Sequence, residues 1–260
     1  MEDQKISKEE KSEDKIITPL DSNFPLLRLF REKAPGSHKH SQSLVSMVDN
    51  VCSAIDMDPE ILKIAAMYHD VGKMLAPWLY TENQGDDNPH DELPAWVSFQ
   101  LITRHVSDSV MILTANDFPP EIIQIVSQHH GDTVLRGIFK KATSENKEMK
   151  EDEFRYATQR PSNLMSLILM LCDNVEAGAR SVYRTQGLDI APDSFVFDVY
   201  NKLHADGQFD DVEVRLGVLK KIQEAVIADV ASDFQKRVAY PENKELSGKE
   251  KIAKKEEVED

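Results

Sequence analysis

Apolar side chains recur at intervals of three and four residues through most of this sequence. One run places six of them on a single helical face: Leu44, Val45, Val48, Val51, Cys52 and Ile55. The next helix is marked by Asp58-Pro59-Glu60, a capping aspartate followed by proline at the first helical position. No stretch of useful length alternates apolar and polar residues as a strand does. The sequence therefore predicts an all-α fold.

The same periodicity, with proline and glycine as punctuation, divides the rest of the chain into helices and loops. The helix that starts after Asp58 is expected to stop near Gly72, and a long loop over 77–93 follows it. Further helices are predicted over 94–105, 107–116, 119–130, 162–183, 192–204 and 211–236. Long loops in compact domains often carry function, so 77–93 is a candidate for a functional segment.

Three stretches are too charged to belong to a core. Residues 1–22 and 243–260 mix both signs of charge and carry few large apolar groups, which predicts solvated, disordered tails. The run 143–153 is typical of an exposed loop or a frayed helix end. One domain over 23–242 remains, with enough apolar material for a core.

The charge balance limits the partners of the chain. It carries 46 acidic and 31 basic residues, a formal net charge of −15. Such a surface repels polyanions at long range, so we expect no binding of duplex nucleic acid. A small anionic substrate remains compatible, because bound cations can dominate the local field. No protein partner is indicated.

The sequence also indicates a cellular compartment. Cys52 and Cys172 lie in apolar helical contexts, as reduced core cysteines do. The charged N-terminal residues contain no apolar signal segment. The longest apolar stretch, 164–172, is interrupted by Ser166 and is shorter than the roughly 20 residues of a membrane span. We therefore expect a cytoplasmic protein without membrane insertion.

Histidine and aspartate residues occupy unusual places in these helices. His69-Asp70 and His129-His130 each close an apolar helix, and Asp173 lies inside the most apolar one. An unpaired buried carboxylate is costly, so these groups need partners or a metal. Taken singly, each has an ordinary explanation, such as a helix-start residue or a surface histidine at a helix end.

Together, seven residues fit a single metal centre: His40, His69, Asp70, His105, His129, His130 and Asp173. The gaps between them are long enough for a helix to run out and return. Ligands from different helices can therefore meet in the core of a helical bundle. The ordered pattern H…HD…H…HH…D resembles the HD superfamily of metal-dependent phosphohydrolases, in its two-metal version.

The flanking residues narrow the resemblance to the cytosolic HD domain of the seven-transmembrane HD proteins, which are bacterial cyclic di-AMP phosphodiesterases. The similar segments run from about 24 to 242 and include Glu32-Lys33-Ala34-Pro35-Gly36, Glu82-Asn83-Gln84-Gly85, Asn88-Pro89-His90-Asp91, Asp173-Asn174-Val175-Glu176-Ala177 and Asp206-Gly207-Gln208. No Gly-Tyr-Pro follows His129-His130, so the chain does not resemble the HD-GYP enzymes for cyclic di-GMP.

The resemblance implies a helical bundle with a buried two-metal site. One metal would be bound by His40, His69, Asp70 and Asp173, and Asp70 would bridge to a second metal. The second would be held by His105, His129 and His130. Imidazole and carboxylate ligands without thiolates favour Fe or Mn. A hydroxide between two cations is a nucleophile at neutral pH, and its attack would open cyclic di-AMP to linear pApA.

Other residues are candidates for contact with the substrate. Lys73 is expected to point into the same cavity, hold a phosphate oxygen and act with Asp70 in catalysis. Arg155 and Arg180 are candidates for phosphate or base contacts, and Asp91 for orienting a ligand or its loop. Tyr156, with Trp78 and Tyr80, has the ring to stack on a base. A surface position for Lys73 and the two arginines, and core packing for the three aromatic residues, are the ordinary alternatives.

Two other functions remain open at this point. A nucleotide phosphohydrolase acting on mono- or triphosphates would use the same superfamily fold, although most such enzymes need fewer ligands than are present. A regulatory module that binds a nucleotide without turnover is the second, although such modules often lose ligands. A phosphodiesterase with two divalent metal ions and a small nucleotide substrate is the leading hypothesis.

Overall fold

Helices form the regular structure of residues 18–85, 87–186 and 191–239, which the computed structural model describes. In these ranges the α-helices are α1 (Pro25–Lys33), α2 (Pro35–Ala54), α3 (Glu60–Tyr68), α4 (Ala95–Ala115), α5 (Pro120–Ser127), α6 (Arg136–Glu145), α7 (Leu164–Gln186), α8 (Pro192–Ala205) and α9 (Leu216–Ala239). Short 3-10 helices lie at Val71–Leu75, Pro77–Leu79, Pro89–Asp91 and Glu151–Phe154. The described residues contain no strand, only an isolated antiparallel bridge. The predicted all-α fold is confirmed.

Helix α7 lies at the centre of the hydrophobic core. Its side chains from Leu167 to Cys172 are fully buried, and α2, α5, α8 and α9 pack against it. Each buried side chain of this size contributes roughly 1.5–3 kcal/mol relative to exposure. Cys52 and Cys172 are both buried and free. None of the described helices is long and apolar enough to cross a bilayer.

Helix α4 corrects one of the predicted boundaries. The helices expected over 94–105 and 107–116 form one continuous helix, Ala95–Ala115. Ser107 does not cap a new helix, because its hydroxyl donates to the carbonyl of Arg104 at 2.8 Å. A serine inside a helix commonly satisfies its hydroxyl in this way. His105 is therefore held in the middle of a long helix rather than at a fraying end.

Other predicted boundaries also change. Helices α1 and α6 were not predicted, and α6 takes the first residues of the charged run over 143–153. Helix α7 starts at Leu164, two residues later than predicted, where the Asn163 side chain accepts from the N–H of Ser166 at 2.9 Å. Helix α9 starts at Leu216, five residues later than predicted.

The predicted tails fall mostly outside the described residues, which leave out 1–17 and 240–260. Of the N-terminal tail, residues 18–22 are described. Leu20 packs against the core, and the Tyr68 hydroxyl donates to the carbonyl of Pro19 at 2.6 Å. The chain thus contacts the core a few residues before α1 begins.

The long segment 77–93 contains two short 3-10 helices and is attached to the start of α2. The side-chain oxygen of Asn83 accepts from the backbone N–H groups of Gly36 and Ser37, at 2.8 and 3.2 Å. These N–H groups lie in the first turn of α2, where no partner exists within the helix. Asn83 therefore caps α2 from a distant part of the sequence and fixes the helix that carries His40.

Candidate metal centre

The seven predicted ligands converge on one buried point. They come from α2 (His40), the end of α3 (His69 and Asp70), α4 (His105), the turn after α5 (His129 and His130) and α7 (Asp173). Their ligand atoms fall into three overlapping groups, each within 4.8 Å: His40–His69–Asp173, His69–Asp70–His129 and His105–His129–His130. Six of the side chains are buried, and His130 is partly exposed at the edge.

Backbone carbonyls aim three of the histidines at this point. The Nδ1–H groups of His69, His105 and His129 donate to carbonyls three residues earlier in the chain, at 2.9, 2.7 and 2.6 Å. Each bond holds the proton on Nδ1 and directs Nε2 inward, so that Nε2 is the atom left to bind a metal. Histidine ligands in metalloproteins are usually oriented in this way.

Asp173 brings together the first group of ligands. Its Oδ1 lies 2.9 Å from Nε2 of His40 and 3.7 Å from Nε2 of His69. Asp70 approaches the same nitrogens with Oδ2, at 3.9 and 3.1 Å. Two carboxylates and two imidazoles thus surround one position.

Asp70 also reaches the second group, through its other oxygen. Oδ1 lies 3.4 Å from Nε2 of His105 and 4.0 Å from Nε2 of His129. The Nε2 atoms of His130 and His105 are 3.1 Å apart. One carboxylate therefore faces two ligand groups with two different oxygens, which is the placement of a bridging ligand.

The ionised carboxylates of the first ligand group favour a positive charge between them. Burial would lower the pKa of His69, but Asp70 and Asp173 raise it to about 10. Burial would raise the pKa of Asp70, but His69 and Lys73 hold it well below its usual range. The carboxylates are therefore ionised, and a cation between them would supply the charge that a protonated histidine otherwise provides.

The histidines of the second ligand group are uncharged. Burial, followed by the neighbouring His69 and His105, lowers the pKa of His129 to about 3. Burial and His129 likewise lower the pKa of His130 well below its usual value. Neutral imidazole is the form that binds a metal.

Two buried atoms of the centre have polar neighbours at 3.1 and 3.4 Å but make no well-aligned hydrogen bond among the described residues. They are Nε2 of His69 and Oδ1 of Asp70. Leaving such atoms unsatisfied costs about 1–3 kcal/mol each, whereas both are ordinary metal ligands. The donor set of imidazole nitrogens and carboxylate oxygens therefore fits two divalent cations.

Lys73 lies beside this centre, as the sequence predicts. Its Nζ is 2.7 Å from Oδ2 of Asp70 and 2.8 Å from Oε1 of Glu82. The ammonium also lies 5.1 Å from the centre of the Tyr80 ring. Burial would lower the pKa of Lys73, but the two carboxylates raise it, so the ammonium stays charged.

The two arginines proposed for substrate contact are engaged by carboxylates. Arg155 contacts both oxygens of Asp206, at 3.2 and 2.9 Å, and donates to the carbonyl of Asp132 at 2.9 Å. Arg180 donates to Oε2 of Glu176 at 2.6 Å, next to His40. Only Arg180 lies against a residue of the metal centre.

The remaining candidates differ in how close they are to the centre. The buried ring of Tyr156 lies 4.4 Å from that of His130, centre to centre, and so forms part of the wall. Tyr80 is buried against His105. Trp78 is 61% exposed, and Asp91 accepts from the Asn88 side chain at 3.0 Å within its loop.

The sequence interpretation missed two carboxylates, Glu82 and Glu176. Glu82 contacts Lys73, and Glu176 lies 2.5 Å from Nδ1 of His40. Both stand in segments that supported the family resemblance, but neither received a role. A signal was present for Glu176, because it follows Asp173 by three residues on an apolar helix, which puts both on one face.

Similarity to known proteins agrees with this geometry. Residues 38–178 match the HD domain family. The chain is 32% identical over 229 residues to the cyclic-di-AMP phosphodiesterase PgpH of Bacillus subtilis. The aligned region covers 88% of this chain and 32% of that protein. The chain thus spans about a third of the length of this curated relative.

Two solved structures of the PgpH HD domain of Listeria monocytogenes are also similar. The first is 31% identical, with a TM-score of 0.74, and the match covers 82% of this chain and 100% of that one. The second is a complex with cyclic-di-AMP. It is 30% identical, with a TM-score of 0.74, and the match covers 80% of this chain and 96% of that one. From the matched residues and the identity to these relatives, the chain belongs to the HD domain family.

Proposed function

We propose that this chain is a metal-dependent phosphodiesterase that hydrolyses a cyclic dinucleotide, cyclic di-AMP, to the linear dinucleotide pApA. The observation that carries the proposal is the position of Asp70, whose two oxygens face two separate groups of histidines. The named activity of the Bacillus relative and the nucleotide in the second Listeria complex support the choice of substrate.

Two divalent cations would be held by the residues described above. His40, His69 and Asp173 would hold one, His105, His129 and His130 the other, and Asp70 would contact both. Because the set contains no thiolate, Fe or Mn is favoured. When bound, the pair supplies water activation at neutral pH and positive charge for the phosphoryl oxygens.

The chain's own side chains contribute binding and orientation. The Lys73 ammonium has three N–H donors, and two contact Asp70 and Glu82. The third is available to a phosphate oxygen, and the charge of Lys73 favours an anion at this position. Tyr156 forms an apolar wall beside His130, against which a base or ribose can pack.

The proposed substrate is a cytoplasmic nucleotide, and two features of the chain are compatible with it. Both cysteines are free and buried, as in reduced proteins. The acidic surface, with a formal net charge of −15, leaves the metal centre as the place for a small anion to bind. We therefore propose a cytoplasmic site of action.

The test is turnover by the purified chain loaded with Mn²⁺ or Fe²⁺. Cyclic di-AMP, cyclic di-GMP, pApA and a panel of mono- and triphosphates are compared at equal concentrations. We expect cyclic di-AMP to be converted to pApA fastest. Asp70→Asn is expected to abolish conversion, and Asp198→Asn, an exposed carboxylate on α8, to leave it unchanged.

Two other results would each favour a different function. Faster hydrolysis of a mono- or triphosphate would replace the proposal with a nucleotide phosphohydrolase. Two bound metals with nucleotide binding but no turnover of any substrate would favour a regulatory module.

A further inference from the structure

The histidine of α2 is oriented differently from three of the other four histidines in the centre. His69, His105 and His129 donate Nδ1–H to backbone carbonyls. His40 has its Nδ1 2.5 Å from Oε2 of Glu176, a carboxylate of α7. Its orientation therefore depends on a side chain, which a substitution can remove.

Helix α7 contacts both nitrogens of the His40 ring. Asp173 approaches Nε2 at 2.9 Å, and Glu176, one turn later, approaches Nδ1 at 2.5 Å. Nε2 faces the other ligands, and Nδ1 faces away from them. Glu176 thus lies on the far side of the ring from the metal position, where a carboxylate orients a ligand without being one.

The tautomer of His40 follows from this geometry. A metal at Nε2 requires the proton on Nδ1, and only an acceptor can receive it. Glu176 supplies that acceptor in a site where it is 9% exposed. A hydrogen bond to a carboxylate also makes the imidazole a better ligand.

Arg180 completes the arrangement one turn further along α7. Its Nη2 lies 2.6 Å from Oε2 of Glu176 and 2.8 Å from Nδ1 of His40. When Nδ1 carries the proton, both Arg180 and His40 are donors, so both bonds go to the carboxylate. Arg180 therefore balances the charge of Glu176 and fixes its rotamer.

We infer that Glu176 is a positioning residue that fixes the ring and tautomer of His40 for the cation bound by His40, His69 and Asp173, and that Arg180 holds Glu176 in place. The inference rests on the proposed metal centre but not on the identity of the substrate. It distinguishes the two cation positions, because no residue of the second group contacts Glu176 in the described part of the chain.

The test measures metal content of the whole chain, not activity. Protein loaded with Mn²⁺ is equilibrated against increasing chelator, and bound metal per chain is measured by mass spectrometry. We expect Glu176→Ala to weaken one of two sites by about 10- to 100-fold. At a chelator concentration that leaves two ions on the wild type, the variant retains one.

Conservative variants separate orientation from folding. Glu176→Gln keeps an acceptor oxygen at the same place, so we expect it to recover most of the affinity. Arg180→Gln is expected to weaken the same site by a smaller factor. Glu121→Ala, an exposed carboxylate on α5, serves as the matched control and should bind two ions like the wild type. If Glu176→Ala does not fold, Arg180→Gln carries the test, because weakening of one site is expected and wild-type affinity at both sites would contradict the inference.

Two results would overturn the inference. One is wild-type affinity at both sites in Glu176→Ala and Arg180→Gln. The other is equal weakening of both sites, which indicates a general structural role. A wild type that binds two ions but does not hydrolyse cyclic di-AMP would overturn the proposed function alone, and a wild type that binds none would overturn both.

Discussion

The Nε2 atoms of His105 and His129 face each other at 3.4 Å inside the candidate metal centre. Both rings donate Nδ1–H to backbone carbonyls, at 2.7 and 2.6 Å. Burial lowers the pKa of both side chains, that of His129 to about 3, so both are neutral. Two buried lone pairs that face each other repel, and a cation between them removes the repulsion.

Metal binding should therefore stabilise the fold. At a free metal concentration about 100 times the Kd, the gain is roughly 2.7 kcal/mol. For a domain of this size that corresponds to a rise in Tm of roughly 5–10 °C. Thermal unfolding with Mn²⁺ and with EDTA measures the difference.

Histidine variants control this measurement. His129→Gln should lose most of the metal-dependent rise in Tm. His204→Gln, which changes a histidine that packs on Tyr200 and Phe209 instead, should keep it. Equal Tm values with metal and with EDTA in the wild type would contradict the two-cation assignment.

The two aspartates of the centre should differ in how many metals they control. Asp70 lies within 4.0 Å of two histidines of the second group, whereas Asp173 lies 2.9 Å from His40 in the first group and reaches the second at 3.8 Å, at Nδ1 of His130. We expect Asp70→Asn to retain no metal after dialysis against a weak chelator, and Asp173→Asn to retain one ion. Asp198→Asn should retain two. Metal analysis per chain decides, and one retained ion in both centre variants would argue against a bridging Asp70.

The seven candidate ligands could be identified from the sequence because buried charge is rare. His69-Asp70 and His129-His130 close apolar helices, and Asp173 interrupts one, so each stands out against its neighbours. Their long sequence gaps are compatible with a bundle. The structure brings all of them together between α2, α3, α4, α5 and α7.

Glu82, Glu176 and Asn83 could not be predicted in the same way. All three stand in segments that resemble the family, but Glu82 and Asn83 lie in a polar stretch, where such side chains are usually solvated, and only Glu176 carries a signal, its spacing of three residues from Asp173. Glu176 contacts His40 and Asn83 contacts Gly36 across more than 40 residues of sequence. Glu82 contacts Ser37 across a similar distance, and also Lys73, nine residues away. The continuity of α4 was missed for a local reason, because the pattern does not distinguish a capping serine from one that bonds back to its own helix.

The ion pair of Lys73 and Glu82 should contribute to stability as well as to the site. Both side chains are about 85% buried, and the Ser37 hydroxyl also donates to Glu82 at 2.8 Å. Glu82→Ala removes the acceptor of the Ser37 hydroxyl and leaves Lys73 with Asp70 alone, so we expect a loss of about 1–3 kcal/mol in the free energy of unfolding. Urea denaturation measures it.

The control for this variant is Glu92→Ala, an exposed carboxylate in the same segment. Its effect should lie within about 0.5 kcal/mol. A loss no larger in Glu82→Ala than in Glu92→Ala would show that the pair does not stabilise the fold.

Gly131, directly after the histidine pair, should not tolerate a residue with a Cβ. Its φ is +54°, and an added Cβ would lie 2.2 Å from Oε1 of Gln208 and 2.8 Å from Cε of Met170. Gln208 cannot easily move, because it is fully buried and donates to Asp132 at 2.6 Å. The left-handed backbone alone costs roughly 1–2 kcal/mol for a residue with a Cβ.

We therefore expect Gly131→Ala to lose more than about 2 kcal/mol in the free energy of unfolding. It should also weaken metal binding, since relief of the clash displaces the backbone of His130. Gly137→Ala, in an open position on α6, is the matched control and should be neutral or stabilising by up to about 1 kcal/mol. Urea denaturation and metal content are measured on both variants. Equal stabilities would mean that the turn after His130 tolerates a side chain, and that backbone conformation at Gly131 does not position this ligand.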